Sequence, residues 1–127
     1  MAVTRGLLVV MAVLEAATGV ALLVLPVIVV SLLLGASLDS AGGLAVARIA
    51  GAALLSLGLT CWFARHVGQT GLGRGVVVAM LVYNIVVIAV LAHAGLGLGM
   101  GSIGLWPAAG AHVVLASCCL ASLRSRN

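Results

Sequence analysis

Four uninterrupted apolar runs, at residues 7–34, 44–64, 75–94 and 105–123, narrow the choice of fold more than anything else in this chain. A helix needs about 20 apolar residues to cross the hydrocarbon of a bilayer, and each run supplies that. Inside hydrocarbon every backbone N–H and C=O must be satisfied within the structure, which leaves helices and closed barrels. These runs are continuous rather than alternating, and far longer than a barrel strand, so they predict helices. The expected fold class is therefore all-α, a single-domain polytopic bundle of four transmembrane helices. Composition argues against a soluble domain. The chain is 65% hydrophobic and 6% charged over 127 residues, and a water-exposed domain of that size has too little interior to hide so much apolar surface.

The first run is longer than one crossing requires, and Pro26 inside it predicts a kinked or tilted helix. Arg5 precedes it, as a basic residue precedes a signal peptide. Its apolar stretch far exceeds the roughly 7–15 residues of a signal core, and no clear small-x-small site follows, so the run is expected to remain as a span. Three breaks separate the spans. Gly35–Gly43 surrounds Asp39. Arg65-His66 leads through Gly68, Gly71 and Gly73 to Arg74. Gly95–Gly104 is rich in glycine. Within this last break Gly99 to Gly104 formally matches a dinucleotide fingerprint, but no strand precedes it and no acidic residue follows at the right distance. It reads as a flexible turn.

The formal charge of +4 comes from six arginines and no lysine. Five arginines stand singly near the ends of runs, without a basic stripe or interleaved aromatics, so the charge is not the footprint of nucleic-acid binding. Arg5, Arg65, Arg74, Arg124 and Arg126 all fall on one side of a four-span topology, with His66. The other side carries only Asp39. By the positive-inside rule both termini and the middle loop are expected to be cytoplasmic. Trp62 and Trp106 sit near span ends at opposite faces, as interfacial aromatics do.

Glu15 is the only acidic side chain within any run, and an ionisable group at mid-membrane depth is by default a functional candidate. At about 1.5 Å per residue, Glu15 and Asn84 lie about equally deep, ~13 Å from the start of their spans. Tyr83 is beside Asn84, too deep for an interfacial belt. Arg48 and His112 enter from the other side, to about 7 and 10 Å. Side chains lean toward the helix N-terminus, so two polar layers are expected. One holds Glu15, Asn84 and Tyr83, with Glu15 hydrogen-bonded to Asn84. The other holds Arg48 and His112. Each residue also has a plainer role open to it. Arg48 can snorkel to headgroups, Asn84 can join helices, and His112 can be a satisfied packing residue. His93 is expected at the interface, solvated.

Span two has a small-residue face through Ala47, Gly51 and Gly58, suited to close helix contact. Met11 to Glu15 echoes Met80 to Asn84, and Ala50-Gly51-Ala52 echoes Ala109-Gly110-Ala111, as in a duplicated hairpin. Cys61, Cys118 and Cys119 are expected to be free thiols, small apolar residues facing a reducing compartment. No C-x-x-C, no H-E-x-x-H, no phosphate loop and no nucleophile–base–acid set is present. Neither a metal nor a cofactor is expected.

Glu15-x-x-Thr18-Gly19, Arg48-x-x-Gly51, Tyr83-Asn84 and Trp106-Pro107-x4-His112 together resemble small bacterial four-helix inner-membrane proteins, loosely of the DoxX-like group. The resemblance covers nearly the whole chain. It implies a four-helix bundle in a bacterial inner membrane, and it implies no substrate or reaction. Three functions are consistent with the residues. The first is a non-enzymatic accessory or scaffold subunit with a buried polar site around Glu15, assembling with itself or within a larger membrane complex. The second is a small transporter or channel using Glu15 as a proton- or cation-binding carboxylate. The third is an enzyme on a lipid or quinone, with Glu15 and His112 as acid and base. Tight dry packing would favour the first, a water-filled cavity reaching Glu15 the second, and a lipid-facing cleft joining Glu15 to His112 the third.

Overall fold

The computed structural model describes residues 2–67 and 71–125, and these are helical except at the connections. The helices are α1 (Ala2–Val24), α2 (Pro26–Leu34), α3 (Ala41–Ala64), α4 (Gly71–Ala92) and α5 (Leu105–Arg124). Four helices are long and apolar enough to cross a membrane; α2, with nine residues, is not one of them. Gly68 and Arg126 lie outside the described residues.

The first apolar run is thus two helices rather than one kinked or tilted helix. Leu25 leaves helical geometry at φ −128° and ψ 49°, and Pro26 begins α2. Proline has no N–H to continue a ladder but is well suited to a first helical position. The break is narrow, because Leu25 N still donates to Ala21 O at 2.7 Å. Helix α2 ends at Gly35, whose φ of +66° is a left-handed conformation that glycine adopts without strain.

Other boundaries also moved. Helix α3 starts three residues earlier than the apolar run, because Ser40 caps it, its Oγ accepting from Gly43 N at 3.0 Å. Gly71, Gly73 and Arg74 are helical rather than looped, and α4 passes into a π-helical turn at His93–Gly97. Glycine disfavours a helix only by about 1 kcal/mol, which a long apolar helix overrides. The segment read as a flexible turn is docked. Ser102 Oγ lies 2.5 Å from Leu32 O and 3.1 Å from Ser31 O, and Gly104 N donates to Leu32 O at 3.0 Å, so this loop caps the last turn of α2.

The helices form two hairpins. Helix α1 packs along α3 and α4 along α5. The first pair is nearly in backbone contact. A Cβ on Gly51 would lie 2.8 Å from Gly19 O, and one on Gly58 would lie 2.8 Å from Ala16 N. The small face of span two is therefore buried against α1, where only glycine fits. The start of α1 and the end of α5 lie at one end of the bundle, where the buried Thr4 and Ser122 hydroxyls meet at 3.0 Å. At that end Leu8, Met11, Cys61, Val77, Met80 and Cys119 form a dry core joining the hairpins. The guanidinium of Arg65 stacks on Trp62 at 3.6 Å and donates to its carbonyl. Outward faces are apolar, with Ile49 68% and Phe63 70% exposed.

Toward the opposite end the hairpins part. Alanines face one another there, and α2 folds over the gap. The result is a laterally open chamber of about 540 Å³ among α1, α2, α3, α4 and α5, with Ala17 and Leu32 exposed at its edge.

Candidate functional site

The polar residues cluster where the dry core meets this chamber. Glu15 from α1 is 4% exposed, and Tyr83 Oη donates to its Oε2 at 3.1 Å. Asn84, one residue on, is fully buried and turns toward α5. Its Nδ2 donates to Met80 O, one helical turn back, at 2.7 Å, and its Oδ1 lies 2.7 Å from His112 Nδ1. The Tyr83 and His112 rings meet edge to face, centroids 5.7 Å apart. Four expected site residues, Glu15, Tyr83, Asn84 and His112, therefore come together from three helices.

Their pairing differs from the sequence expectation. Asn84 bonds to His112 instead of Glu15, and Tyr83 takes the carboxylate. Asn84 stands eight residues before the end of α4 at Ala92, and His112 seven residues after the start of α5 at Leu105. Counted from this shared end the two are level, which counting from each helix's own start obscured. Arg48 does not join His112. It is exposed beside Val46 and Ile49, and the inward positions of α3 are Ala47 and Gly51. It makes no hydrogen bond or ion pair with the described residues. His93 and His66 are exposed as well.

The hydrogen bonds fix the imidazole tautomer. A backbone carbonyl only accepts, so the Asn84 amino group must face Met80 O. That leaves the amide oxygen toward His112, and this oxygen too only accepts, so His112 Nδ1 carries a proton. In a neutral imidazole the other nitrogen, Nε2, is then an acceptor. Neither Nε2 nor Glu15 Oε1 has a partner among the described residues, yet no enclosed polar atom goes unsatisfied. Both atoms therefore reach open space.

That space is a cleft of about 210 Å³ between α1, α4 and α5, lined by Glu15, Thr18, Tyr83 and His112 with apolar neighbours. Thr18, Tyr83, Ala108 and His112 also line the large chamber, so the two volumes adjoin. Leu14 and Thr18 on α1 and Ala111 on α5 are exposed at the rim. The cleft opens sideways, through the flank of the bundle.

Nothing in the sequence announces this cavity. Its only trace is a set of alanines, Ala17, Ala21, Ala108 and Ala111, small enough to leave space. Thr18 was legible only as part of a motif, and the Thr4–Ser122 contact not at all.

Among the described residues no three histidine, cysteine or acidic side chains gather as a metal set. The cysteines are free, with Cys61 and Cys119 buried in the dry core and Cys118 exposed. The echo between Met11–Glu15 and Met80–Asn84 holds in burial, since all four named residues are buried. The second echo does not, because Gly51 is buried whereas Gly110 is exposed.

Comparison with protein-family models, with curated proteins and with solved structures gave no match.

Proposed function

We propose that this chain is a multi-pass protein of a bacterial inner membrane that takes a bilayer-soluble molecule into the Glu15 cleft. The carrying observation is the cleft itself. It joins Glu15 to His112, opens through the flank of the bundle, and adjoins a chamber of about 540 Å³. Ligand sites are commonly concave and mostly apolar, with a few polar groups that orient the occupant. Each feature is present here, midway along helices long and apolar enough to cross a membrane. A bundle built only as a scaffold has no use for a carboxylate oxygen left open to such a space. Carrier and enzyme readings both use this site, to which Glu15, Thr18, Tyr83 and His112 contribute.

A second reading, the scaffold or accessory subunit in a self-assembled or larger complex, is favoured by one feature. Asn84 spends its bonds inside the protein, on Met80 O and His112, and fixes the register of α4 on α5.

Photolabelling separates the two. Adamantyl diazirine dissolved in the bilayer is expected to label Glu15 or Tyr83, read by peptide mass spectrometry. Ala108→Trp, which fills the junction of cleft and chamber, is expected to suppress that labelling. Labels confined to outward residues such as Ile49 and Phe63 would overturn the binding role and leave the scaffold.

A further inference from the structure

Resting on that binding role, we propose that the occupant is a lipophilic amine, held through its N–H groups by Glu15 and His112 with its apolar body in the large chamber. The inference comes from which lone pairs and protons the protein has already used. Tyr83 spends its single proton on Glu15 Oε2. His112 spends its Nδ1 proton on Asn84, whose own amino group is spent on Met80 O. What remains toward the cleft is Glu15 Oε1 and His112 Nε2, both acceptors once the carboxyl is ionised. Thr18 adds a hydroxyl at the rim.

An acceptor-lined floor selects a donor. A ligand whose polar head only accepts, such as a quinone carbonyl, could take the proton of a neutral Glu15 but would leave His112 Nε2 unmet, and a carboxylate would be repelled once Glu15 ionised. An alcohol would meet a neutral Glu15 and His112 Nε2 only through neutral hydrogen bonds, about half as strong as charge-assisted ones. An ammonium carries N–H groups enough for both acceptors and also balances the carboxylate. Among the described residues no cationic side chain does so, and Arg48 is exposed elsewhere on α3. The edges of Tyr83 and His112 bound the same space, and the chamber above is walled by Leu22, Val29, Leu33, Leu54, Val87 and Leu91. That wall suits a hydrocarbon body and not a hydrated metal ion, whose water shell would have no partners there. An amine arriving neutral from the bilayer takes the proton of a neutral Glu15 carboxyl, and the two then form the ion pair without any other reactant.

Three probes of one chain length separate charge from donor capacity. Decylamine has both, decyltrimethylammonium has charge without N–H, and decanol has a donor without charge. Binding is measured by calorimetry to the full chain in lipid nanodiscs, with empty discs subtracted. Decylamine is expected to bind the parent at least about tenfold more tightly than either of the others, as one charge-assisted hydrogen bond requires. Glu15→Gln should remove that advantage, and its melting curve should match the parent's. Equal decylamine binding by parent and Glu15→Gln would overturn the proposal. So would decanol or decyltrimethylammonium binding as tightly as decylamine, or no decylamine binding at all. If the photolabel still reaches Glu15 in those cases, the binding role stands and only the ligand class falls.

Discussion

Four buried or half-buried polar side chains at this site divide the labour. Asn84 is fully enclosed and holds two helices together through Met80 O and His112. Glu15 is enclosed except for one oxygen, and its single bond comes from Tyr83. Stability should therefore depend on Asn84 more than on Glu15. Asn84→Leu is expected to cost about 1–3 kcal/mol, because it strands the His112 Nδ1–H inside the protein. Glu15→Gln keeps an acceptor for Tyr83 and should stay within about 0.5 kcal/mol of the parent. Glu15→Leu falls between, at about 1 kcal/mol, the net worth of one hydrogen bond. Thermal melts in detergent, followed by circular dichroism, rank the three. A Glu15→Gln variant as unstable as Asn84→Leu would reverse the assignment of roles.

Between elements, the two hairpins are built differently. The α1–α3 pair is held by backbone proximity at Gly19, Gly51 and Gly58, and α4–α5 by a polar link at Asn84 and His112. Lipid gives helices no hydrophobic reason to associate, so close packing and hydrogen bonds must do it. A side chain at Gly51 would collide with Gly19 O at 2.8 Å and with Leu22 Cβ at 2.9 Å. Gly51→Leu is expected to lower stability by about 1–3 kcal/mol, as overpacking does. Ile49→Leu, two residues away and 68% exposed, is expected to melt with the parent. Matching melts for Gly51→Leu and the parent would mean that the hairpin does not pack as described. The short helix α2 belongs to neither pair. It is pinned at one end by Pro26 and at the other by Ser102 and Gly104, and between them it walls the chamber.

Viewed whole, the bundle is closed at the end where α1 starts and α5 finishes, and grooved toward the other. The hydroxyl pair Thr4–Ser122 places the start of α1 and the end of α5 at the closed end. Arg5, Arg65, Arg74 and Arg124 belong to that end too, and Asp39 to the other. On the positive-inside rule the closed end is proposed to be cytoplasmic and the chamber to lie in the outer half of the membrane. A C-terminal fusion to a fluorophore that matures only inside the cell should fluoresce, and a fusion to a phosphatase active only outside should be silent. The reverse pattern would invert the orientation and put the chamber in the inner half.

Much of this architecture was legible in the residues. Run length and continuity specify four apolar helices, because the hydrocarbon sets how many residues a crossing takes and forbids open backbone. Glycine at positions 51 and 58 marks the face of α3 that another helix approaches, since only a missing side chain permits that distance. Glu15 declares itself by its depth. Depth along a helix is all that such counting provides, however. Which way Arg48 points, outward where Ala47 points in, depends on how α3 is rotated against α1. Whether Asn84 meets Glu15 or His112 depends on which helix ends are shared. The cavity depends on alanines from different helices happening to face one another, and on Pro26 turning α2 across the gap. Rotation, shared ends and facing voids are relations between helices, and they exist only once the helices have packed.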